Sequence, residues 1–150
     1  VKLDAIERHN YSGHVGLGFF GKFVLLYGAV VTSIGLDFVI LVIAGVTDED
    51  MVLAGNRVIE NGGGLAIALE GKVLADLPLP IGGLMADEPV EVVDEKLEHM
   101  KKLSVELGIS EDIDAFMTLA FISLPVIPKL RLNTYGVVDV EKHQVVEARF

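Results

Sequence analysis

One carboxylate and four histidines are the side chains whose chemistry invites a function. Asp37 stands inside an apolar stretch: Gly28-Ala29-Val30-Val31-Thr32-Ser33-Ile34-Gly35-Leu36 precedes it, and Phe38 to Ala44 follows without a polar residue. Such a carboxylate either reaches solvent at a strand end after Gly35 or is buried with a partner. A buried one has a raised pKa, which suits a pocket acid. The histidines are His9, His14, His99 and His143. None forms His-x-His or His-Glu-x-x-His, so no metal-ligand set is read from their spacing. His9 and His14 flank a loop that Asp37 could approach, the one grouping from which a metal site could be built. The reading favoured for both is that of ordinary polar loop residues. His99 falls on the charged side of a helical stretch and reads as solvated. No serine lies in Gly-x-Ser-x-Gly, and no Ser-His-Asp set follows from spacing.

Gly16-Leu17-Gly18-Phe19-Phe20-Gly21 matches the dinucleotide fingerprint literally. That motif needs a strand directly before it and a helix opening on it. Here a polar loop, His9-Asn10-Tyr11-Ser12-Gly13, precedes it, and Lys22 to Tyr27 is too short for the crossover helix. The glycines therefore read as positions of close backbone approach, and no nicotinamide or flavin nucleotide is expected.

The elements that must position these residues follow from composition and pattern. A chain of 150 residues, 51% apolar, is expected to form one domain with a well-buried core. Its formal net charge of −10 argues against a nucleic-acid partner or anionic lipid, which would need clustered Lys and Arg. There is no cysteine, hence no disulfide or thiolate site, which fits a reducing compartment, the cytoplasm. The chain begins at Val1 with no charged stretch ahead of an apolar run, so no signal peptide is read there. Phe23 to Ala44 is long enough for a membrane span, but Asp37 and the interruptions at Gly28, Thr32, Ser33 and Gly35 favour two buried strands.

Strand is predicted over Leu3 to Arg8 and over the two Val- and Ile-rich runs on either side of Gly35. Thr47, with Asp50 three residues on, caps a helix over Thr47 to Asn61, which Gly62-Gly63-Gly64 ends. Leu65 to Leu69 and Lys72 to Leu77 form a hairpin at Glu70-Gly71. An irregular apolar loop, Pro78 to Met85, comes next. Asp87 caps a second helix, with Val90, Val93, Leu97, Met100, Leu103 and Leu107 as its apolar face and Gly108 as its stop. Asp112 to Leu124 reads as either a short helix or a packed loop. A second hairpin turns at Asn133-Thr134-Tyr135-Gly136, and Val145 to Ala148 is a last strand. The order gives an α+β domain (a layered α/β arrangement): a mixed β-sheet with two main helices packed on it.

Several blocks of this sequence resemble one known family. They are Ile6-Glu7-Arg8-His9, Gly13-His14-Val15-Gly16-Leu17-Gly18-Phe19, Thr47-Asp48-Glu49-Asp50-Met51, Gly62-Gly63-Gly64, Leu77-Pro78-Leu79-Pro80-Ile81-Gly82-Gly83-Leu84-Met85, Phe116-Met117-Thr118-Leu119, Leu124-Pro125-Val126-Ile127-Pro128 and Leu130-Arg131-Leu132. In order and over nearly the whole chain, they are similar to the C-terminal domain of bacterial and archaeal adenine deaminases. The resemblance implies a hydrolase of the amidohydrolase superfamily that converts adenine and water to hypoxanthine and ammonia. It implies an amidohydrolase barrel domain as partner, holding divalent metal (Mn or Fe) on histidines and carboxylates of its own. For this chain it implies no metal ligands and no complete catalytic set. Asp37, His9 and His14 are its candidates for lining a substrate pocket, with adenine as a candidate ligand. Where the family carries His-Asp-Ser-His-Asn, this chain has Leu36-Asp37-Phe38-Val39-Ile40, and only Asp37 matches. The domain alone is therefore expected to be inactive. The other reading is a free-standing binding module that keeps the fold without enzymatic activity. Self-association is compatible with either.

Overall fold

The computed structural model describes residues 1–8, 12–21, 23–35 and 40–148. The chain opens on β1 (Lys2–Glu7) and β2 (Val15–Phe19), then forms β3 (Ala29–Thr32) and β4 (Ile40–Gly45). β3 and β4 are buried throughout, as runs rich in Val and Ile and covered on both faces of the sheet should be. The run read from Phe38 is strand from Ile40; Phe38 and Val39 lie outside the described residues. The stretch weighed as a membrane span contains β3 and the start of β4, and no helix among the described residues is long and apolar enough to cross a membrane.

Thr47 caps α1 (Asp48–Glu60). Its hydroxyl accepts from the Asp50 N–H at 3.3 Å and donates to Asp50 Oδ2 at 3.1 Å. The reciprocal bond of the cap thus ends on the threonine hydroxyl rather than on its N–H. Asp50 Oδ1 instead accepts from the Gly71 N–H at 3.0 Å. This ties the start of α1 to the turn between β5 (Gly64–Leu69) and β6 (Lys72–Pro78). Glu70 and Gly71 have φ of 51° and 75°, the paired positive values of a type I′ hairpin.

These strands form one sheet in the order β2-β1-β4-β3-β5-β6, with every pair antiparallel. The α+β class stands, whereas the sheet read as mixed is antiparallel among the described residues. The reason is topological. β4 and β5, joined through α1, run parallel to each other as a crossover demands, but β3 lies between them and pairs with both.

α1 packs on β3, β4, β5 and β6, setting Met51, Ala54 and Val58 against Val31, Ile43 and Ala66. The opposite face is covered by α2 (Val90–Glu106), α3 (Ala115–Ile122) and a small antiparallel sheet of β7 (Leu130–Asn133), β8 (Gly136–Asp139) and β9 (Gln144–Val146). Met100, Leu119 and Leu132 from these elements join Val30, Val42 and Ile67 in the larger core. Pro89, not Asp87, stands at the N-cap of α2, without a side-chain cap bond; its carbonyl accepts from the Val92 and Val93 N–H groups. The apolar face of α2 consequently begins late: Val90 is exposed, whereas Met100 and Leu107 are buried. The ambiguous stretch after Asp112 is helical, because Asp114 accepts from the Met117 N–H at 2.9 Å and caps α3.

Candidate functional site

The register of the large sheet gathers its loops at one end. Glu7 closes β1 opposite Ile40, the first residue of β4. Ile6 pairs with Val15 at the start of β2. Thr32 closes β3 opposite Leu65, and Gly64 pairs with Pro78. Residues far apart in the sequence are thereby brought together: Arg8, His14, Ser33, Gly62 to Gly64, and the Leu79 to Met85 loop.

Ser33 holds this end together. It is fully buried. Its hydroxyl donates to the Gly83 carbonyl at 2.7 Å and accepts from the Gly64 N–H at 2.7 Å. Its own N–H donates to the Gly64 carbonyl at 2.9 Å. The Arg8 guanidinium donates to the Ser33 carbonyl at 3.4 Å through Nη1 and lies close to Gly83. A Cβ at Gly83 would collide with that guanidinium, and its φ of +75° is itself a glycine conformation. Burial lowers the pKa of Arg8 from its ordinary value, but a guanidinium stays charged throughout the physiological range.

Of the three pocket candidates that the resemblance implies, His9, His14 and Asp37, only His14 is described. It is exposed, its N–H donates to Ser12 Oγ at 3.3 Å, and its ring meets Tyr135 with centroids 4.9 Å apart at 51°. Tyr135 belongs to the β7–β8 turn, which reaches this end because β2 presents glycine to it. A Cβ at Gly16 would overlap the Asn133 carbonyl oxygen and stand 2.8 Å from the Gly136 nitrogen. The literal Gly-x-Gly motif therefore serves close packing within a strand, and among the described residues the next element after it is a strand, β3. Asp37 and His9 lie outside the described residues. Ile40, the last position of the altered polar cluster, is a buried core residue. Among the described residues no group of three or more His, Asp or Glu is arranged to hold a metal ion, so no chemical step through a metal is assigned to them.

Arg8, Ser33, Gly83 and Tyr135 were not singled out from sequence. Arg8 adjoins a histidine that was, and Ser33 is a hydroxyl in an apolar run, the only local signals either one gives. Together these features define a layered α+β domain whose polar and glycine-rich loops are locked at one sheet end.

The chain belongs to the adenine deaminase C-terminal domain family, whose model matches residues 1–144. Adenine deaminase 2 of Carboxydothermus hydrogenoformans is 47% identical to it over 146 residues, 97% of this chain and 26% of that protein. The adenine deaminase of Kosmotoga olearia is also 47% identical over 146 residues, 97% of this chain and 25% of that protein. That of Nitratidesulfovibrio vulgaris is 45% identical over 141 residues, 93% of this chain and 24% of that protein. The chain thus spans about a quarter of the length of these relatives.

Proposed function

We propose that residues 1–150 act as one accessory domain of an adenine-deaminase-like hydrolase, working with an amidohydrolase barrel domain in the cytoplasm. The observation that carries this reading is the convergence at one sheet end of Arg8, His14, Gly62 to Gly64 and the loop to Met85. All of these come from blocks that carry the family resemblance, so the shared residues build a presented edge as well as a core. Hydrolysis of the adenine C–N bond needs an activated water, which a divalent metal (Mn or Fe) held by the barrel's own residues would supply. The part of this chain is to close the pocket and fix its rim. Arg8 and Ser33 hold the Gly83 loop in place. His14, with His9 and Asp37, supplies polar groups toward adenine. The chain by itself does not turn adenine over.

The polar cluster tests this. Leu36→His, Phe38→Ser and Val39→His restore the family's residues beside Asp37. Ile40 is left alone because its side chain is in the core. With the chain spliced in place of the matched segment of the Carboxydothermus hydrogenoformans protein, ammonia release from adenine should rise at least tenfold on restoration. An unchanged rate in a folded variant would mean that these positions do not serve the substrate.

A further inference from the structure

α1 leaves part of its own sheet face open. It packs on β3 to β6, while Lys2, Asp4 and Ile6 of β1 and Val15 and Leu17 of β2 share that face by register. Val15 and Leu17 are 47% and 49% exposed, and Val52 and Ile59 on the facing side of α1 are 61% and 66% exposed. Between strand and helix runs a trough of about 310 Å³. It continues through Ile6, Leu41 and Ile59 into a second hollow of about 280 Å³ that ends at Arg8 and Gly63, at the loop end of the sheet. Its floor carries Asp4. Asp4 Oδ2 is 4.0 Å from Lys2 Nζ, which sits closer to Asp48 at 2.7 Å, and Asp4 Oδ1 is buried with no hydrogen-bond partner among the described residues.

We propose that this trough seats the barrel domain: an apolar segment of that domain lies along β1 and β2 and brings a cation or N–H donor to Asp4. The proposal rests on the functional reading above. Three observations favour this occupant. The relatives are about four times the length of this chain, so most of each such protein lies outside this domain. The trough leads directly to the loop end that has to face a pocket. The Asp4 carboxylate is partly exposed on the floor, and its nearest cation, Lys2 Nζ at 4.0 Å, is held by Asp48 at 2.7 Å, so a cation or donor from a partner would complete its pairing. A second copy is disfavoured, since each chain carries a net charge of −10 and would bring like charge to an acidic floor.

Hydroxyl-radical footprinting reads the trough directly, comparing the chain alone with the same chain spliced into the full-length Carboxydothermus hydrogenoformans protein. Oxidation of Val52 and Ile59, which line the trough, should fall at least fivefold in the spliced protein. Val126, exposed in the turn before β7 and outside the trough, should not change. Val52→Lys, at an exposed position of α1 that lines the trough, should restore labelling of Ile59 in a variant shown by circular dichroism to keep its fold. Unchanged labelling of the trough in a spliced protein that releases ammonia from adenine would overturn this proposal and leave the functional reading standing. Unchanged labelling without turnover would overturn both. Protection that appears in the chain alone as its concentration rises would assign the trough to a second copy instead.

Discussion

Ser33 links three segments through one hydroxyl and one N–H: Gly64 at the start of β5, Gly83 in the Pro78 to Met85 loop, and its own strand end. Ser33→Ala leaves a buried N–H and a buried carbonyl without their partner, a loss of about 1–3 kcal/mol. Urea denaturation should show that loss, and the Gly64 amide should exchange faster. Asp4 acts in the opposite direction. Its carboxyl is raised above the ordinary carboxylate range, chiefly by burial, so ionised Asp4 favours the unfolded chain. The penalty is complete above the raised folded value and disappears as pH falls below the unfolded value. Asp4→Asn should therefore stabilise the isolated chain at pH 7, read as a higher melting temperature than the parent's. The gain should shrink toward zero in acid; a gain independent of pH would show that charge is not its origin. These roles were hard to read from sequence for a physical reason. Ser33 acts on Gly83, fifty residues away, and Asp4 matters because α1 stops short of it, neither of which leaves a local pattern.

Elements set by local rules were the most legible. α1 follows from Thr47, Asp50 and a three-to-four-residue apolar spacing, and the β5–β6 hairpin from Glu70-Gly71. The antiparallel order of the sheet was not legible, because the insertion of β3 between β4 and β5 is a tertiary choice. The start of α2 was misread since Asp87 and Pro89 are both good first-turn residues, and the chain enters the helix through the proline. The Gly-x-Gly stretch yielded only close approach, with the partner unstated; the structure supplies Asn133 and Gly136. Gly16→Ala sets a Cβ against backbone that cannot yield. It should cost about 1–3 kcal/mol, and hydrogen exchange should quicken in Leu130–Asn133 and Gly136–Asp139. Gly21→Ala, in the same literal motif but with open space around it, should change neither.

At the scale of the molecule, the chain is a member of a family whose named relatives are adenine deaminases about four times its length. Its large sheet is closed on one face by α2, α3 and the small sheet, and only partly closed on the other by α1, while its glycine-rich loops gather at one end. That form suits a domain completed by a neighbour. The family resemblance, visible in ordered blocks of sequence, identified the domain. Which blocks build core and which build edge became legible only from strand register. Ammonia release from adenine, measured with Mn²⁺ or Fe²⁺ for the chain alone and for the chain spliced into the full-length Carboxydothermus hydrogenoformans protein, is the most direct test of an accessory role. Turnover should be absent from the chain alone and present in the spliced protein, reduced at least tenfold by Asp37→Ala. Metal-dependent turnover by the chain alone, abolished by Asp37→Ala, would contradict the accessory role and show a complete site within these residues.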